Sequence, residues 1–168
     1  NNVSISCDAR IYDCSTIELA DNIRVDDFCL LSGRLKIGSY THLAPYTMLA
    51  GGKPGIIVGR YVTFAYGVKV FSESDDYSGS SAVGSLVSDE FKNVSRVQTS
   101  IGQFCILGAN SVVMPGCNLQ EGVALGACSL VNKPLNAWHI YIGQPAIPLK
   151  PRSKNIVAAF DSYLMSNS

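Results

Sequence analysis

Among the 168 residues only two imidazoles occur, His42 and His139. Histidine is the side chain whose ordinary pKa puts its charge change near neutral pH. Either ring could act as a general base, taking a proton from an attacking nucleophile. His42 opens the string His42-Leu43-Ala44-Pro45-Tyr46, whereas His139 follows Trp138. A lone histidine can equally be a plain surface or core residue, and that reading suits His139 better than His42. The acidic pair Asp75-Asp76 lies in Ser74-Asp75-Asp76-Tyr77-Ser78-Gly79. A carboxylate there could orient an imidazole, bind a polar substrate or serve as the base itself; the alternative is an Asx-rich turn. Catalytic zinc takes about three protein ligands, commonly imidazoles, so two histidines point away from a metal-dependent hydratase, and no metal is expected.

The elements that hold these residues are set by a repeat of six. It runs without a slip through Ile101-Gly-Gln-Phe-Cys105-Ile, Leu107-Gly-Ala-Asn-Ser111-Val, Val113-Met-Pro-Gly-Cys117-Asn, Leu119-Gln-Glu-Gly-Val123-Ala and Leu125-Gly-Ala-Cys-Ser129-Leu. The same pattern holds in the pairs starting at Ile37 and Leu43 and at Val58 and Phe64. The first residue is apolar, the second is mostly Gly or Ala, and the fifth is Ser, Thr, Val or Cys. A weaker triplet over 17–34 keeps the spacing but puts Asp21, Asp27 and Gly33 at the fifth place. Helices repeat every 3.6 residues and simple strands every two, so period six fits neither. It fits a prism of three parallel sheets, in which each hexad supplies one short strand and one turn. The expected fold is an all-β parallel β-helix, one domain over 1–168.

Grouping the hexads in threes assigns positions 17, 37, 58, 101 and 119 to one face, 23, 43, 64, 107 and 125 to the second, and 29, 49, 70, 113 and 131 to the third. The phase then requires extra residues at 35–36, within 49–57 and over about 71–100, all leaving from one side. A loop as long as 71–100 in a compact domain is usually functional, which makes it the candidate active-site arm. Ile140–Ile142 could add a last strand. Ile156, Val157, Phe160, Tyr163 and Leu164 recur at helical spacing, predicting a helix over about 153–165 that caps or flanks the prism. Tyr40, Tyr46, Tyr61 and Tyr66 fall in the turns and are expected to be exposed, as subunit contacts or as faces on which a sugar stacks.

Composition excludes several classes. Lys plus Arg equals Asp plus Glu, so no global field draws the chain to nucleic acid or an anionic membrane. Apolar runs are far shorter than the roughly 20 residues of a membrane span. The opening Asn1-Asn2-Val3-Ser4 has no signal-peptide pattern, and a cytoplasmic location is expected. The six cysteines show no C-x-x-C spacing, and four fall within hexads, so they read as small apolar residues and not as a disulfide set.

Four further strings carry a resemblance: Val25-Asp26-Asp27-Phe28-Cys29, the His42 and Asp75-Asp76 strings above, and Trp138-His-Ile-Tyr141-Ile-Gly143-Gln-Pro145-Ala146, followed by Arg152-Ser153-Lys154. Over nearly its full length the chain resembles the hexapeptide-repeat O- and N-acetyltransferases of bacterial surface-polysaccharide pathways, galactoside acetyltransferase-like enzymes among them. The resemblance implies a left-handed coil, a homotrimer with an active site at each subunit boundary, and metal-free transfer of acetyl from acetyl-CoA to a sugar or nucleotide-sugar. It implies a cofactor along the C-terminal coils, at Ala109, Asn110, Ala127, Asn132, Lys133 and Lys150, with Arg152 as a further phosphate partner. In the maltose and galactoside branch the base histidine sits in the long loop, where this sequence has none; His42 is therefore expected as base, with Asp76 as its orienter or a substrate ligand and Asp75, Tyr77 and Ser78 as substrate contacts. A non-catalytic scaffold and an acyltransferase with a non-sugar acceptor are the competing readings.

Overall fold

The protein's structure, a computed structural model, describes residues 2–166. Three sheets of short strands wind into a parallel β-helix, the architecture the hexads predict. An eight-stranded sheet carries Ile23–Val25, His42–Leu43, Thr63–Phe64, Ile106–Leu107 and Ala124–Leu125; a six-stranded sheet carries Leu30–Ser32 and Met48–Ala50; a five-stranded sheet carries Leu35–Ile37 and Ile56–Val58. First-position residues stack coil on coil: Leu43, Phe64, Leu107 and Leu125 are successive partners, all buried.

The N-terminal triplet has a different phase from the one expected. Leu19 pairs with Ile37, Val25 with Leu43 and Leu31 with Leu49, so the first positions are 19, 25 and 31 and not 17, 23 and 29. The fifth residues are then Ile23, Cys29 and Leu35, all buried, while Asp21, Asp27 and Gly33 move to the turn. No extra residues sit at 35–36. The spare pair lies earlier, between Ile11 and Leu19, around the short helical turn Cys14–Thr16. That turn, the 49–58 connection and the long arm all leave the six-stranded sheet and enter the five-stranded one, so every insertion still emerges at one corner.

The repeat's chemistry follows from its corners. The fifth residue points inward, and where it carries a donor it serves a turn carbonyl: Thr47 Oγ1 donates to the Ala44 carbonyl at 2.7 Å and Ser129 Oγ to that of Gly126 at 2.7 Å. Such pairing spares the interior an unsatisfied polar group. The second residue must be small because the next coil lies against it: a Cβ on Gly59 would sit 2.6 Å from the Gln103 nitrogen. The fourth residue turns the corner with positive φ. Phe28, Tyr40, Tyr46, Tyr61 and Phe104 adopt φ of 58–65°, a conformation costing an L-residue about 1–2 kcal/mol. Ring stacking offsets part of that, with centroids 5.2 Å apart for Tyr40–Tyr61 and 5.1 Å for Tyr61–Phe104, such pairs being worth about 0.5–1.5 kcal/mol.

The helix α1, Asn155–Ser166, flanks this aromatic corner. Phe160 lies 4.3 Å from the Tyr61 ring, and Tyr163 meets Tyr40 edge-on. Tyr61 is therefore buried, contrary to expectation, whereas Tyr46 and Tyr66 are exposed. The prism end is closed by Leu135 and by His139–Ile142, which pairs antiparallel with Ile147–Pro151. No helix among the described residues is long and apolar enough to cross a membrane.

Three cysteines, Cys29, Cys105 and Cys117, occupy buried fifth positions, and burial pushes the Cys105 thiol up to about 12. Thiol reactivity needs the thiolate. In the native protein a thiol reagent is expected to label Cys7, Cys14 and Cys128, which are exposed, and the buried three only after denaturation; peptide mapping of the labelled chain checks this.

Candidate active site

His42 is the sixth residue of its hexad and faces outward from the eight-stranded sheet, between buried Thr41 and Leu43. Its strand neighbours are Arg24 on one coil and Thr63 on the next. The ring is held by a carboxylate, but not by Asp76: His42 Nε2 lies 2.7 Å from Asp26 Oδ2. The other Asp26 oxygen, Oδ1, accepts from Arg24 Nε at 2.6 Å. Burial raises the Asp26 pKa, yet the hydrogen bonds from His42 and Arg24 outweigh it and hold the carboxyl below its usual range. With a depressed folded-state pKa, this contact stabilises the fold above about pH 4 and is lost as pH falls through the folded value. A cleft of about 480 Å³ opens beside the ring, walled by Asn22, Arg24 and Tyr40 from the prism and by Phe160 and Tyr163 from α1.

The arm is a separate locus. It leaves the six-stranded sheet at Phe71 and rejoins the five-stranded sheet at Thr99, its base zipped by Glu73–Ser74 against Ser95–Arg96. Asp76 is engaged by its own loop: Oδ1 accepts the Ser78 N–H at 2.8 Å, and Oδ2 accepts the hydroxyls of Ser80 at 2.8 Å and Ser81 at 3.0 Å. These contacts, Ser78 foremost, hold its carboxyl well below the usual range. Asp75 accepts from the Gly84 N–H, the Ser78 hydroxyl pairs with that of Ser80, and Tyr77 is 91% exposed. Asp75, Asp76 and Tyr77 line one shallow cavity with Val83. His42 and Asp76 are thus not brought together in one chain, because the arm emerges at the corner opposite the His42 sheet.

Of the residues read as a cofactor track, Ala109, Asn110 and Ala127 lie on successive coils at one corner, between the eight- and six-stranded sheets. Asn110 turns that corner at φ 57° and is exposed, as is Ala127. Exposed Asn132 and Lys133 follow the last strand of the six-stranded sheet, and exposed Lys150 lies on Ile147–Pro151.

No family model matches this sequence. A dTDP-4-amino-4,6-dideoxy-D-glucose acyltransferase of Escherichia coli is 35% identical over 159 residues, 93% of this chain and 82% of that protein. AntD, an N-acyltransferase from Bacillus cereus, is 39% identical and superposes with a TM-score of 0.97 over 99% of this chain and 89% of its own. The chain belongs to the hexapeptide-repeat sugar acyltransferase family. AntD has been crystallised with dTDP and 3-hydroxybutyryl-CoA, and a variant of it with dTDP-4-amino-4,6-dideoxyglucose and coenzyme A. A maltose O-acetyltransferase from Clostridium difficile, 14% identical with a TM-score of 0.59, shares the fold alone.

In this acyltransferase two residues named for chemistry have other duties. The Arg152 guanidinium donates through Nη1 to the carbonyls of Phe104 at 2.6 Å and Gly122 at 3.0 Å, stapling the last segment to the prism. His139 rests its Nδ1 2.8 Å from the Ala137 carbonyl and is half-buried. Conversely, the sequence reading gave Asp26 no role beyond its place in the Val25–Cys29 string and passed over Arg24. Their signal was there: in the correct phase Arg24 and His42 are both sixth residues of hexads on consecutive coils, and Asp26 follows at strand spacing.

Proposed function

We propose that the protein transfers an acyl group from an acyl-coenzyme A thioester to the amino group of a dTDP-linked 4-amino-4,6-dideoxy sugar. The observation that carries this reading is the near full-length likeness to AntD, an N-acyltransferase holding those two kinds of ligand. The amine nitrogen attacks the thioester carbonyl, a C–N bond forms, the C–S bond breaks, and coenzyme A leaves as the thiol. His42 takes the proton that the nitrogen sheds and passes it to the departing sulfur. Asp75, Asp76, Tyr77 and Ser78 contact the acceptor, while Ala109, Asn110, Ala127, Asn132, Lys133 and Lys150 line the path of the cofactor. Because His42 and the arm lie apart within one chain, a homotrimer with sites at its boundaries accounts for both. Acetyl-CoA is the donor expected from sequence, and 3-hydroxybutyryl-CoA is its competitor on AntD's example. The acylated sugar suits a bacterial surface polysaccharide.

The test is coenzyme A release and product mass with dTDP-4-amino-4,6-dideoxyglucose, each donor offered separately, against dTDP-glucose as a hydroxyl-only control. An amide product from the amino sugar alone supports the reading. Ester formation on the control would overturn N-acylation, and neither turnover nor coenzyme A binding would favour the scaffold.

A further inference from the structure

The register of the eight-stranded sheet puts three polar side chains in line on its outer surface. Arg24 and His42 are direct partners on adjacent coils, and Asp26, two residues after Arg24, projects from the same side. The contacts run in series: Arg24 Nε to Asp26 Oδ1 at 2.6 Å, then Asp26 Oδ2 to His42 Nε2 at 2.7 Å. The Asp26 side chain is 15% exposed and the His42 ring 39%, so the carboxylate is the sheltered member and the ring faces the cleft. His42 Nδ1 has no hydrogen-bond partner among the described residues.

We propose that Asp26 is a positioning residue for acyl transfer: it fixes His42 as the tautomer with its proton on Nε2 and its lone pair on Nδ1, and Arg24 holds Asp26 in that pose. This rests on the reading of His42 as the base. A carboxylate that is ionised at neutral pH only accepts, so the ring nitrogen facing it must carry the proton. The lone pair then lies on the nitrogen with no protein partner, the one able to take a proton from a nucleophile in the cleft. Once it has done so, the imidazolium is stabilised by the carboxylate against its other nitrogen, as a second carboxylate stabilises other base histidines.

Further titratable groups near the ring and its partners are Tyr40 and Tyr66 on the prism, Tyr163 on α1 and Asp27 next to Asp26 in the chain. Arg24 stays charged throughout and shares the carboxylate, which keeps Asp26 from swinging toward solvent when the ring gains its proton.

The experiment compares full-length wild type with Asp26→Asn, Arg24→Gln and His42→Ala, using acyl-CoA and the amino-sugar nucleotide. It also reads the ring nitrogens of His42 by 15N NMR without substrates. Asp26→Asn is expected to lower kcat at least about tenfold with the KM for acyl-CoA little changed. It should move the acid limb of the kcat/KM profile to lower pH and mix the two His42 tautomers; Arg24→Gln should do the same more weakly. Circular dichroism of each variant separates these effects from loss of fold. If Asp26→Asn keeps the wild-type rate, pH profile and tautomer while His42→Ala is inactive, the positioning role is overturned and the base stands. If His42→Ala turns over like wild type, the base reading fails and the positioning role falls with it.

Discussion

Replacing His42 by Ala is expected to lower kcat/KM about a hundredfold or more, the lower end of the usual loss on removing a general base. The lower end applies on the proposed N-acyl reading, since a neutral amine is a stronger nucleophile than a hydroxyl and needs less help from a base. The loss should fall on kcat and kcat/KM together, since proton removal is felt in the transition state and not in binding. Folding should be nearly untouched: the ring is partly exposed, and its loss leaves Asp26 still paired with Arg24 at 2.6 Å. Steady-state rates from coenzyme A release, with a melting curve for each protein, check both halves. A variant as fast as wild type would move the base to the Asp75–Asp76 arm.

The period of six was legible because each residue of a hexad answers to a separate physical demand. The first and fifth positions face the interior, the second meets the backbone of the next coil, and the fourth turns with positive φ. Phase was harder than period. In the first triplet Ile17, Ile23 and Cys29 satisfied an apolar first position as well as Leu19, Val25 and Leu31 did, since a strand buries residues two apart. Only the pairing of whole coils settles such a tie, and that pairing is not local in sequence. The same slip hid Asp26 and Arg24, because it removed Arg24 from the position it shares with His42. Burial of Tyr61 was invisible for a like reason: its cover, Phe160, lies 99 residues further along the chain. Asp76 shows another limit: the hydrogen bonds it takes from Ser78, Ser80 and Ser81, and its distance from His42 within one chain, depend on how the arm folds and not on the Asp-Asp string itself.

Phe64→Ala is expected to cost about 3–5 kcal/mol of stability, the range for deleting a fully buried aromatic side chain. Phe64 is the largest of the completely buried side chains, and its partners on the adjacent coils are Leu43 and Leu107, themselves buried. Relaxation can refill little of the space, because the parallel register fixes the coils above and below at the spacing of hydrogen-bonded strands. Urea unfolding should show the midpoint falling with an unchanged slope. Tyr66→Ala, at an exposed ring two residues on, should stay within about 0.5 kcal/mol and serves as the control. Phe64 also packs on the coil of the His42–Leu43 strand, where Thr63 is the neighbour of His42. In a solenoid each coil leans chiefly on its neighbours, so a void at Phe64 loosens the coils of Leu43 and of Leu107 alike. On the proposed cofactor path, where Ala109 and Asn110 follow Leu107, acyl transfer and coenzyme A binding in this variant should therefore decline together with urea.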